Sequence, residues 1–335
     1  MGHLRGARGP PRRRRTAGTR AAADGGRRVI VRVHDDRKRE LTFGAAPKRV
    51  VSLVPSDTFT VAALGCGDAI VGRTDYCELP ADVNARVPSV GGTKNPRVDD
   101  IVALSPDLVL ANQEENTRSD LEALAQQGIR VFVAFPKRAA DGLAHMARLA
   151  RIFRVERDAS ARDLLARGYA GMREAEAARA VEAPLRTFCP IWMDPLMTIH
   201  GATFISDMLD LAGAQNVFAD RERRYPLAAD VGDAKPLPPE RVADRDVRYP
   251  RVSVDEVVAR APELVLLPDE PHPFTDADAE VFRALAIPAA AHDAVVRMPG
   301  KDICWYGAWA VDGLPRLRAL VGRYRASFAS SAKMA

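Results

Sequence analysis

NPRVDDIVALSPDLVL (Asn95–Leu110) and YPRVSVDEVVARAPELVL (Tyr249–Leu266) are two versions of one stretch within a chain of 335 residues. Aligned without gaps from Asp99 and Asp255, their twelve-residue cores share Asp, Val, Ala, Pro, Leu, Val and Leu. Asp100/Glu256, Ile101/Val257 and Asp107/Glu263 differ only conservatively. Agreement of this kind marks an internal duplication. Each copy reads as a short helix feeding an apolar strand, and Ser253 with Glu256 forms a capping-box pattern at the start of the second.

The same grammar extends outward from both copies. RVVSLVP (Arg49–Pro55) is a Val-rich run that fits a buried strand. SDTFTVAALG predicts a helix with Ser56 as N-cap and Gly65 at its stop. AIVGRT, DLVLA and RVFVAF read as further strands, and TRSDLEALAQQG as a helix capped by Thr117 and ended by Gly128. VIVRV (Val29–Val33) reads as an edge strand or ribbon. Alternating βα units of this length imply an α/β fold with a mostly parallel sheet covered by helices on both faces. Between Ala139 and Val181 the strand signal stops and Ala, Leu, Arg and Glu recur at helical spacing, which predicts a long strut. After Pro184 the βα alternation resumes. Tyr225–Pro250 is Pro- and Asp-rich, has no periodicity and reads as a long loop. The expected division is a basic, disordered tail over 1–28, an N-terminal lobe over 29–156, a linking helix over 157–183 and a C-terminal lobe over 184–328.

A composition of 47% hydrophobic and 28% charged residues supports globular cores of ordinary size. The net charge of +5 is a tail property: residues 1–39 hold 13 Lys and Arg against 3 Asp, so the rest is mildly acidic. Four consecutive Arg without interleaved aromatics make a poor nucleic-acid site, and no such partner is expected. No apolar stretch of about 7–15 residues follows the basic start, so the chain as written is expected to remain in the cytoplasm unless its start codon is misassigned. Cys66, Cys77, Cys189 and Cys304 show no CxxC spacing; free thiols are expected, with Cys66 and Cys189 buried.

Taken in order, KRVVSLVPSDTFTVAALGCGDAIVGRTDYCELP, VPSVGGTKNPRVDDIVALSPDLVLA, the long helix, DPLMTIHGATFISDMLDLAGAQNVFAD and YPRVSVDEVVARAPELVLLP resemble the helical-backbone substrate-binding proteins of ABC importers. Those proteins take up cobalamin, haem and ferric siderophores, and the cobalamin-binding branch is the most similar. The resemblance spans about residues 29–325. It implies two Rossmann-like lobes joined by one long α-helix, with a metal chelate held between them and delivered by a monomeric receptor to an ABC permease dimer at the periplasmic or cell-surface side. It also gives the duplication a purpose, because a receptor serving a two-fold transporter must present an equivalent patch to each half. The docking acids of the family match Asp99 and Asp255, where Asp replaces the commoner Glu, with Asp100 and Glu256 as neighbouring substitutes.

By position, Tyr76 and Tyr249 match cleft aromatics of the cobalamin binders, Met197 matches another, and Thr93 falls where those proteins place a Trp. Trp305 and Tyr306 in CWYGAW are further ligand-binding candidates, since flat rings suit a planar macrocycle or a catecholate. Trp192 is expected in the core. His200 and His272 lack a second and third ligand at fixed spacing, so no metal site built by the protein is expected; any metal arrives inside its chelator. GCGDAIVG fails as a dinucleotide fingerprint, and no GxxxxGK[ST], HExxH or GxSxG occurs, so catalysis is not expected. A cytoplasmic corrinoid or haem carrier or sensor on the same fold remains the alternative.

Overall fold

A computed structural model describes Gly2 and residues 30–243 and 245–331; the expected disordered tail over 1–28 lies outside the described residues except for Gly2. Two four-stranded parallel sheets organise the rest. The first contains β1 (Val50–Ser52), β2 (Ile70–Arg73), β3 (Leu108–Asn112) and β4 (Val131–Ala134) in the order β2-β1-β3-β4. The second contains β5 (Leu185–Phe188), β6 (Ala214–Asn216), β7 (Leu264–Pro268) and β8 (Val295–Met298) in the order β6-β5-β7-β8. Numbered within its own half, each sheet therefore runs 2-1-3-4. The duplication inferred from one stretch holds for the whole sheet topology.

Period-two alternation explains why β1, β3 and β4 are almost wholly apolar, with both faces buried. Val50, Leu108, Leu110 and Phe132 face one core cluster, whereas Val51, Val109, Ala111, Val131 and Val133 face another on the opposite side. The hairpin of Val31–His34 and Glu40–Phe43 is antiparallel, and the Asp36 amide in its turn donates to the Val133 carbonyl of the edge strand β4.

Helix α1 (Pro55–Ala63) begins two residues earlier than expected, with Val54 rather than Ser56 at the N-cap. Pro55 takes the first helical position, so Ser56 lies inside the helix rather than capping it, while Gly65 does stop it at φ 78°. Helix α2 (Val98–Ala103) leads into β3. Helix α3 (Arg118–Gln126) is capped by the Thr117 hydroxyl, which accepts from the Asp120 amide at 3.3 Å. Helix α4 (Ala139–Phe153) is followed by α5 (Ala159–Arg179), the strut. At the rise of an α-helix, the 21 residues of α5 span about 32 Å. Helices α6 (Phe204–Leu211), α7 (Val254–Arg260), α8 (Asp276–Arg283) and α9 (Ala308–Ser331) complete the second half.

The two copies of the opening stretch carry the same internal brace. Ser105 and Ala261, each followed by Pro, both turn left-handed (φ 47° and 43°), ending α2 and α7. Asp107 accepts from the Lys48 and Arg49 amides at 2.8 and 3.2 Å, and Glu263 accepts from the Arg186 amide at 2.9 Å. In return the Arg49 guanidinium donates to the Leu104 carbonyl at 2.6 Å, and that of Arg186 donates to the carbonyl of Arg260. Each guanidinium thus satisfies a terminal helix carbonyl that the chain leaves unpaired.

The strut does not stand alone. A Cβ on Gly168 would lie 2.6 Å from Leu143 of α4 and 3.2 Å from Val311 of α9, so glycine permits this close three-helix approach. Arg167 pairs with Asp312 at 2.9 Å, Glu174 with Arg318 at 3.5 Å, and Glu182 just past the strut with Arg325, which ties α5 to α9 along its length. The Tyr225–Pro250 loop is anchored rather than loose: Arg221, 6% exposed, reaches both Asp230 (3.3 Å) and Glu256 (2.9 Å). That pairing draws the Glu256 side chain away from the reciprocal half of the expected capping box, although the Ser253 hydroxyl does accept from the Glu256 amide. Among the described residues no helix is long and apolar enough to cross a membrane.

Candidate functional site

Loops at the carboxyl ends of the two sheets meet, which is where open α/β sheets bind ligands. Glu114 stands two residues past β3, and Glu270 two residues past β7, at the matching step of the duplicated unit. Glu114 reaches across to the other lobe. Its Oε1 accepts from the Tyr249 phenol at 2.6 Å and is paired with Arg248 Nη1 at 2.8 Å. The Arg248 guanidinium lies 4.9 Å from the centre of the Phe135 ring and 5.4 Å from that of Tyr249, and Asp246 holds its remaining edge through Nε and Nη2 at 2.9 and 2.6 Å. Burial and the adjacent Glu114 carboxylate push the Tyr249 phenol far above its ordinary range, so it acts as a donor.

Glu270 instead stays with its own lobe. Lys301 sits 3.5 Å from Glu270 and 3.7 Å from Glu78 of the other half, over the Trp305 ring at 5.4 Å. Burial raises the Glu270 carboxyl, and Lys301 pulls it part of the way back. A Cβ on Gly300 would meet the Glu270 carbonyl at 2.6 Å, so this approach also requires glycine.

Between these ties lies a cluster of acids. Glu115, partly open to solvent but deep between the lobes, is pushed up to about 8, first by burial and then by Asp57, Glu114 and Glu270, with Lys94 opposing. Beneath it Asp57 and His145, both fully buried, share a 2.7 Å hydrogen bond. The His145 ring stacks on Phe132 and meets Tyr306 edge-on, both at 5.6 Å. Tyr306 is in turn 3.4 Å from the Asn112 amide nitrogen. Among the described residues no group of three or more His, Cys, Asp or Glu is arranged to hold a metal ion.

The residues singled out from sequence occupy different settings. Tyr249 sits on the cross-lobe contact. Tyr76 is 63% exposed, and its ring lies 3.6 Å from where a Gly92 Cβ would stand. Thr93, at the step of the first copy that matches Tyr249, accepts from Asn116 through its carbonyl at 2.9 Å. Met197 lies in the short ribbon Met197–Thr198 bridged to Arg251. Trp305 and Tyr306, in contrast, are 6% and 3% exposed: Trp305 packs with Phe59 and Trp309 and leaves little face for a ligand. Trp192, expected in the core, is 43% exposed beside His272 (5.2 Å), because its indole N–H is satisfied by the Asp194 carbonyl at 2.9 Å on the surface. The four cysteines are free, but Cys66 is only half-buried. Asp99 and Asp255 lie exposed in the first turns of α2 and α7. Their neighbours are already engaged, Asp100 by Arg97 and Glu256 by Arg221.

Glu114, Glu115, Arg248 and Lys301 were not marked by sequence reading. Carrying the internal alignment four residues beyond Leu110 and Leu266 would have paired Glu114 with Glu270; nothing local identifies the two cations.

A family model described as periplasmic binding protein matches residues 50–299. A vitamin B12-binding protein of Photorhabdus laumondii is 28% identical over 225 residues, covering 67% of this chain and 71% of that protein. Among solved structures, the periplasmic vitamin B12 binding protein of Vibrio cholerae superposes with a TM-score of 0.64 at 17% identity, covering 83% of this chain and 98% of its own. The periplasmic haem-binding protein of Roseiflexus sp. RS-1 gives 0.63 at 18%, covering 83% and 99%. These structural likenesses concern the fold.

Proposed function

Because the chain belongs to the periplasmic binding protein family, whose members bind solutes rather than transform them, we propose that it holds a metal chelate between its lobes and passes it to an ABC permease. A corrinoid is the first choice, as the vitamin B12-binding relatives suggest, with haem and ferric siderophores as the other members of the class. The observation that carries the reading is the meeting of two like sheets, carboxyl ends inward, across the Glu114, Tyr249 and Arg248 contact. Such a mouth offers aromatic and ionic groups to a guest. Delivery would place the working protein on the outer side of the membrane.

A ligand-panel thermal shift with cobalamin, cobinamide, haem and a ferric hydroxamate tests this, since only ligands of the native state raise the midpoint. At least one is expected to do so, and Tyr249→Ala should weaken that binding without lowering the midpoint of the free protein by more than a few degrees. No shift with any of the four would refute the assignment. For delivery, Asp99→Arg and Asp255→Arg should leave ligand affinity intact while removing stimulation of the permease ATPase; stimulation at the parent level would exclude docking through these acids.

A further inference from the structure

We propose that the guest of the cleft carries a free acid arm, and that Glu114 is the chain's own substitute for it. This rests on the proposed function and, within its ligand class, favours carboxylate-bearing chelates such as haem over the amidated corrinoids. Arg248 is nearly buried, with its side chain 13% exposed, and Asp246 occupies one edge of its fork; Nη1 is the part turned to Glu114. The Tyr249 phenol converges on the same carboxylate oxygen. Two donors from one lobe therefore grip an acid that comes from the other, on a loop rather than on a strand.

A guest that parts the lobes must separate this contact. Asp246, bonded through Nε and Nη2, holds Arg248 to the C-terminal lobe against the pull of Glu114 and the Phe135 ring. What then faces Nη1 and the phenol is the guest, and the group that best replaces a carboxylate there is another carboxylate. A neutral amide or ester accepts a hydrogen bond from the guanidinium but brings no opposite charge to complete the ion pair. Elsewhere around the gap Glu78, Glu115 and Glu270 face inward, countered by Lys301 and Lys94, so an acid arm is welcomed beside Arg248 above all.

The test uses the full chain and two matched pairs, haem with haem dimethyl ester and cobyrinic acid with cobinamide, with dissociation constants from fluorescence quenching or calorimetry. The acid member of the pair that binds is expected to be favoured by about tenfold, the scale of one charge-assisted contact. Glu114→Ala should tighten both members, since each is spared the cost of separating this contact, and the acid member more because it also loses a like charge, whereas Arg248→Gln should bring the two together. Glu270→Gln removes the same charge at the matching step without touching Arg248 and should change the ratio less than Glu114→Ala does. Thermal midpoints of the free variants establish that each is folded. Equal affinity for the acid and neutral members, no effect of Glu114→Ala, or a matching effect of Glu270→Gln would each overturn the inference while leaving the proposed function standing. Failure of all four probes to bind would overturn the inference, and would remove the proposed function too only where cobalamin and the ferric hydroxamate also fail.

Discussion

Replacing Glu115 by Gln should stabilise the protein in alkali and leave it unchanged in acid. In the folded chain this carboxyl titrates near 8, against 4.5 in its ordinary state. Below the lower value both folded and unfolded chains hold the proton and pH has no leverage. Between the two values only the unfolded chain releases it, so each pH unit costs the folded state about 1.4 kcal/mol; above about 8 the loss is complete. The full interval corresponds to about 5 kcal/mol. Glu115 is partly open to water, which screens its neighbours, so a range of about 2–5 kcal/mol is the realistic expectation. Urea unfolding of the parent and of Glu115→Gln at about pH 5, 7 and 9 measures it. The parent should lose stability towards the alkaline end by that amount relative to the variant, with the gap opening mostly below about pH 8. A constant gap across the range would mean that Glu115 is already ionised at neutral pH and that the acids around the cleft do not act on one another.

The buried Asp57–His145 pair should behave as a unit: His145→Leu strands Asp57 and should cost about 3–5 kcal/mol in denaturant unfolding, while the double replacement with Asp57→Leu should cost less than the sum. A coupling near zero would count against the pairing. Two glycines of the strut should respond with opposite signs. Gly168→Ala forces Leu143 aside and should destabilise by about 1 kcal/mol, whereas Gly171→Ala, with nothing within 4 Å of the new Cβ, should stabilise by about 0.5–1 kcal/mol. The same sign for both would show that packing around the strut has been misjudged.

The duplicated stretch exposed the architecture because its constraints are local: an acid-led helical turn, a stop before Pro, and an apolar run buried on both faces. Those requirements leave the same residues in both copies. Strands β6 and β8 escaped notice for the opposite reason. Ala214–Asn216 is too short and polar to signal a strand, and β8 (VVRM) is only four residues long with Arg297 exposed within it. Both sit at sheet edges, where burial writes less into sequence. Tyr249, which meets Glu114 across the lobes, was singled out because the family resemblance places an aromatic at its position. Arg248 and Lys301 were not, since a cation that snorkels into a gap between lobes looks like any surface cation until its partners are known. Trp192 was misplaced by a rule that sends large rings inward without asking where their polar atom is satisfied.

The strut and the terminal helix form a laminate. Two plies joined by Arg167–Asp312, Glu174–Arg318 and Glu182–Arg325 can flex only if one slides along the other, and sliding breaks every rivet together although each is worth little alone. Resistance to flexure therefore exceeds what either rod offers singly, and it depends on the salinity of the medium. In concentrated electrolyte the exposed rivets loosen and the same chain becomes the more pliant clamp.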